Sequence, residues 1–105
     1  MKRTDIIQSL IDKVGAENYL EVGVSAGENF RDIKCKNKVG VDPEPSTPAT
    51  IHIDSDSFFK DNKRTFDVIF IDGLHHADQV YRDINNSLAI LNDKGFIVCH
   101  DMNPQ

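Results

Sequence analysis

No apolar run in the sequence approaches the ~20 residues that a membrane-spanning helix needs, which excludes a spanning segment. Charge enters the apolar pattern at once, in MKRTDIIQSLIDK, so the N-terminus does not read as a signal peptide. Cysteine is scarce. Cys35 and Cys99 stand alone, without metal-type spacing, and the expectation is reduced thiols in the cytoplasm. Positive charge is outnumbered, with 12 Lys and Arg against 17 Asp and Glu and a formal net charge of -5. A protein that grips phosphate backbones is usually basic, so neither nucleic acid nor membrane is the expected partner. Internal repeats and low-complexity tracts are missing too. What is there is a chain of 105 residues with 39% apolar residues and interspersed charge, the signature of one small globular domain.

Strand and helix signals alternate along it. Ile6, Ile7, Leu10, Ile11 and Val14 recur at helical spacing, with Thr4 as a candidate cap before Asp5 and Gly15 as a stop. NYLEVG (18–23) is a short apolar strand running into a glycine loop, and a short helix is expected over about 28–35. KVGVD (38–42) is a second strand. PEPSTPA holds three of the four prolines and reads as a loop. TIHID (50–54) is a third, weaker strand, after which Ser55 or Asp56 can cap a short helix through Phe58 and Phe59. FDVIFID (66–72) has the apolar continuity of a strand covered on both faces. A helix is expected over 77–91, and GFIVCHD (95–101) is a fifth strand.

Strands alternating with helices imply a parallel sheet with right-handed crossovers, and ligands then bind beyond the carboxyl ends of the strands. Four strands end on polar groups at that edge: Glu21 with its glycine loop, Asp42, Asp72, and His100 with Asp101. The loop EVGVSAGEN does not fit a dinucleotide fingerprint. Ser25 and Glu28 stand where glycines are wanted, and Glu28 would oppose a pyrophosphate at the helix start. Asp42 follows Gly23 by 19 residues, the spacing of an acid that accepts hydrogen bonds from ribose hydroxyls. IFIDGLHH puts Asp72 at a strand tip and His75 and His76 at the start of the next helix.

The pattern E-x-G-x-x-x-G, carried by Glu21, Gly23 and Gly27, resembles the first motif of class I methyltransferases dependent on S-adenosylmethionine. The second half, from FDVIFIDGLHH to IVCHDMNP, is similar to a subgroup whose fourth and fifth strands read F-I-D-G-x-H and I-V-x-H-D; together the matches run from about Asn18 to Pro104. Three positions depart from the pattern: Ser25 for a glycine, Ala77 for a tyrosine, and Lys94-Gly95 for a glycine pair. The resemblance implies an α/β, Rossmann-like three-layer sandwich with a mostly parallel five-stranded sheet in the order 3-2-1-4-5. It implies one S-adenosylmethionine-binding domain over residues 1–105 and transfer of a methyl group to a small hydroxyl-bearing acceptor. Cofactor contacts would come from Glu21, Gly23, Ser25, Gly27, Asp42, Ser55, Asp56 and Asp72.

For the chemistry, three readings stand side by side. Asp72, Asp101 and His100 can hold magnesium or another divalent cation. His75 or His100 can act as general base. Or these side chains serve only as caps and partners for one another. Such methyltransferases normally continue through a sixth and a seventh strand, whereas this sequence ends just past the fifth, so a truncated form lacking the final hairpin is expected. The alternative function is a non-catalytic module that binds S-adenosylmethionine or a partner. The uncharged stretch GFIVC would then be an open sheet edge, and a homodimer or higher homo-oligomer through it and the helix over 77–91 is expected.

Overall fold

The computed structural model describes residues 2–72 and 77–99. The elements are α1 (Arg3–Val14), β1 (Asn18–Val22), α2 (Glu28–Asp32), β2 (Asn37–Val41), α3 (Ser55–Asp61), β3 (Phe66–Ile71), α4 (Ala77–Ala89) and β4 (Leu91–Cys99). The sheet runs β2-β1-β3-β4, and every pairing is parallel. Helices cover both faces. Ile7 and Ile11 of α1 and Phe30 of α2 pack with Tyr19, Val68 and Phe70 on one side. Phe58 of α3 and Val80 of α4 pack with Leu20, Val22, Val41, Ile69 and Ile71 on the other. Strand alternation does this sorting, since neighbouring residues of β1 and β3 point to opposite faces. Val68, Ile69, Phe70 and Ile71 are each at most 1% exposed. Each such side chain contributes about 1.5–3 kcal/mol by burial, which makes β3 the spine of the fold.

Among the described residues the sheet has four strands rather than the five expected. The segment expected as a third strand contributes one isolated bridge, Ile51 to Val41. Thr50 and Ile51 donate their amides to the Gly40 carbonyl, both at 2.9 Å, and Ile51 accepts from the Asp42 amide at 3.1 Å. His52 and Ile53 then turn outward, exposed, because Asp54 already caps α3 by accepting from the Ser57 amide at 3.0 Å. Neither Ser55 nor Asp56 is that cap. Thr4 is likewise not the cap of α1, which starts at Arg3 behind Lys2.

The last strand starts earlier than the sequence suggests. Leu91 pairs with Phe66, and the register then shifts so that Phe96 pairs with Val68. The intervening residues form a kink with Lys94 at φ 68°. Asp67 secures that end of the sheet. Its carboxylate accepts from the amides of Glu17 and Asn18 at 2.9 and 3.0 Å and from the Asn92 carboxamide at 2.8 Å. Among the described residues, no helix is long and apolar enough to cross a membrane.

Candidate functional site

Register brings the strand tips together. Val22 of β1 pairs with Val41 of β2 and with Ile71 of β3. The residues that follow, Gly23, Asp42 and Asp72, therefore emerge side by side at the carboxyl edge. Two backbone bonds fix them there: the Gly23 amide donates to Val41 O at 2.9 Å and the Asp72 amide to Val22 O at 3.0 Å.

The loop between β1 and α2 is wound by left-handed residues at every second position, Gly23 (φ 88°), Ser25 (φ 54°) and Gly27 (φ 83°). Glycine tolerates this conformation without a Cβ penalty. At Gly27 space forbids a side chain as well, since a Cβ would lie 2.1 Å from the Pro48 ring. Ser25 carries a Cβ in the same region and is held by Asp42, whose Oδ2 accepts the Ser25 amide at 2.9 Å. The other oxygen of Asp42 accepts the Glu44 amide at 2.9 Å. Asp42 thus fastens the glycine loop to the proline-rich loop.

Between this loop, the strand tips and the first turn of α1 lies a cavity of about 430 Å³. Glu21, Gly23, Ser25, Gly27 and Asp72 line it, as do Lys2, Arg3, Asn29 and Phe70. Glu21 is 1% exposed. Its Oε1 accepts from the Tyr19 hydroxyl at 2.6 Å and from the Asn29 carboxamide at 2.7 Å. Asn29 is oriented in turn by the Thr4 hydroxyl, which donates to Asn29 Oδ1 at 2.7 Å. Burial pushes the Glu21 carboxyl up to about 7, and the nearby Asp72 charge adds to this, against the two hydrogen bonds. The Tyr19 hydroxyl is raised well above its usual range by burial and then by Glu21. A carboxyl poised near neutrality at a cavity can gain or lose its proton with the charge of what binds.

Five of the expected cofactor residues thus share one cavity, and Asp42 stands behind Ser25. Ser55 and Asp56 lie elsewhere. Ser55 Oγ donates to Asp83 of α4 at 2.7 Å, and Asp56 accepts from Gln79 at 3.2 Å, so both turn toward α4. His75, His100 and Asp101 fall outside the described residues, which leaves Asp72 as the described member of the expected cation site. Among the described residues, no three His, Cys, Asp or Glu side chains gather as a metal site. Sequence reasoning missed Tyr19, Asn29, Thr4 and Arg3. Tyr19 was within reach, because two residues before Glu21 on a strand means the same face. The other three reach the site only through packing of α1 and α2.

A model of the methyltransferase domain family matches residues 17–102. No curated protein matches the chain. Among solved structures, the chain is similar to the N-methyltransferase NodS from Bradyrhizobium japonicum WM9 in complex with S-adenosyl-L-homocysteine. The TM-score is 0.72 at 20% identity, over 91% of this chain and 58% of that one. A second crystal structure of NodS gives a TM-score of 0.72 at 22% identity, over 92% of this chain and 65% of that one. The chain therefore spans less than two thirds of the length of either NodS structure.

Proposed function

This chain belongs to the methyltransferase domain family, and from that premise we propose that its cavity binds S-adenosylmethionine for methyl transfer to a small acceptor. The observation that carries this reading is the buried Glu21 opening, beside a left-handed glycine loop, onto a cavity large enough for a nucleoside. The bound cofactor supplies an electrophilic methyl group on a sulfonium. The protein's residues bind and orient it. Gly23 and Gly27 let the ligand approach the backbone. Glu21 and Asp72 offer negative charge to an ammonium. Asp42 has lone pairs left for ribose hydroxyls, since a carboxylate accepts about four hydrogen bonds and two amides occupy it. The acids Glu21, Asp72 and Glu28 in one lining speak against a ligand bearing phosphates.

For the acceptor we favour a hydroxyl on a small metabolite. An amine is the second reading, favoured by the fold shared with an N-methyltransferase. Competition between alcohol and amine acceptors, read by transfer of labelled methyl, decides between them. For the protein partner we favour a second copy of the chain, because Tyr81, Leu88 and Phe96 on α4 and β4 are exposed; light scattering reads it. The cofactor itself is tested by calorimetric titration with S-adenosylhomocysteine and with NAD. The first should bind, the second should not, and the reverse result would overturn the proposal.

A further inference from the structure

The segment that fails to form a strand leaves a second space beside it. Thr50 and Ile51 reach the outer edge of β2 at Gly40, and the chain then turns outward. Between that edge and the end of α3 lies another cavity of about 430 Å³, which shares no lining residue with the one at the strand tips. Its walls are apolar. Val39 of β2 and Phe58 of α3 are 4% and 6% exposed, and the Phe58 ring is held edge-on by Phe59 with centroids 5.4 Å apart. Ile51 is half-buried, and Ile53 closes one side at 37% exposure.

The remaining wall is charged. Asp61, Lys63 and Arg64 line the cavity where α3 gives way to β3, and all three are exposed. The backbone that carries the two cations is pinned. The Asn62 amide donates to Phe58 O at 2.9 Å. The Asn62 carboxamide donates to Arg64 O at 2.8 Å and accepts the Arg64 amide at 3.2 Å. Among the described residues, no carboxylate forms an ion pair with Lys63 or Arg64. Two cations against one acid leave this lining net positive by one, on a chain whose formal charge is -5.

An apolar space with a few charged groups at one side is how small-molecule sites are built, and the volume lies within their usual range of about 300–1,000 Å³. The charge selects among ligands. A cation would meet Lys63 and Arg64, and a multiply charged anion would meet Asp61. A neutral apolar molecule would fill the walls and leave both cations without a partner. We infer that this cavity is a second ligand site, one that takes a small monocarboxylate with an aliphatic body. The body rests on Val39, Ile51, Ile53 and Phe58, and the carboxylate faces Arg64 and Lys63. Arginine suits that end because its planar fork can pair with both carboxylate oxygens. The site stands apart from the cofactor reading above and does not rest on it.

The test uses hexanoate, hexan-1-ol and hexylammonium, which share one chain and differ in the head group. Each is titrated at pH 7 into the whole chain, and backbone amide shifts are followed by NMR. Hexanoate should shift the amides of Val39, Thr50, Ile51, Ile53, Lys63 and Arg64 saturably, with a Kd in about the millimolar range expected of so small a ligand. Hexylammonium should leave those amides unmoved. Three side chains are exposed enough to change without touching the core. The double variant Lys63→Gln, Arg64→Gln should weaken hexanoate by about threefold or more and leave hexan-1-ol as it was. Ile53→Ser should weaken both. Shifts that never saturate, or that saturate only at the strand-tip cavity, overturn the inference. So does hexylammonium binding here as well as hexanoate, or a double variant with undiminished hexanoate affinity.

Discussion

Glu21 and Asp83 are buried carboxylates on opposite faces of the sheet, 1% and 0% exposed, and they are held alike. Each accepts on one oxygen from a hydroxyl and a carboxamide. For Glu21 these are Tyr19 at 2.6 Å and Asn29 at 2.7 Å. For Asp83 they are Ser55 at 2.7 Å and Gln79 at 2.9 Å. Their surroundings differ. Glu21 sits on a strand beside left-handed glycines and lines a cavity, whereas Asp83 sits in the middle of α4 and joins it to α3. Burial and hydrogen bonding do not by themselves mark a site. An opening onto a space that a ligand can enter does.

The comparison breaks most severely at the loop that makes Glu21 accessible. Gly27→Val sets a β-branched residue in a left-handed conformation against the Pro48 ring. Strain and overpacking together should cost about 3–5 kcal/mol in urea denaturation, and cofactor binding should vanish in the fraction that folds. Retained binding of S-adenosylhomocysteine would show that the loop is not what gives Glu21 its role.

The next largest effect separates the two acids by pH. The Glu21 carboxyl ionises near 7 when folded and near 4.5 in the unfolded chain. Between these values the folded state holds the extra proton, so stability falls as pH rises through the window and levels off above about 7. The fall amounts to about 3 kcal/mol. Glu21→Gln should remove that slope between pH 5 and pH 8 and leave no ligand-linked proton uptake or release. A slope equal to that of wild type would falsify the assignment. Asp83→Asn should do the opposite: stability falls by about 1–3 kcal/mol through the α3–α4 junction, while the affinity of the folded protein for S-adenosylhomocysteine stays within about twofold. Smallest is Asp42→Asn, which keeps the side-chain size and one acceptor. Calorimetry should show binding weakened by about 1 kcal/mol, and undiminished affinity would take Asp42 out of ribose recognition.

Where the sequence spoke clearly, the physics was local. Continuous apolar runs marked β1 and β3, alternation fixed their faces, and glycines after a strand marked the loop that became the cavity floor. The weaker strand did not form because its neighbours outbid it. Prolines precede it, Asp54 caps the helix that follows, and only Ile51 is left to reach Val41. Ser55 and Asp56 show the limit of motif register, since their contacts depend on where Gln79 and Asp83 of α4 come to rest. Arg3 and Asn29 reach the cavity from separate helices, and no spacing in the chain announces that meeting.

The lone bridge at Ile51 has a consequence in time rather than in space. The Asp42 amide, which leads into the carboxylate that fastens the glycine loop, is tied outward only to Ile51 O. A flank held by so few bonds opens by local fluctuation at a lower free energy than the β1–β3 centre, so its amides should exchange with solvent sooner. The carboxylate proposed to grip the ribose then belongs to an edge of the sheet rather than to its centre. Ligand capture would slow that breathing, and the proposed cofactor would stand in for the weak strand that did not form, a brace that comes and goes with binding.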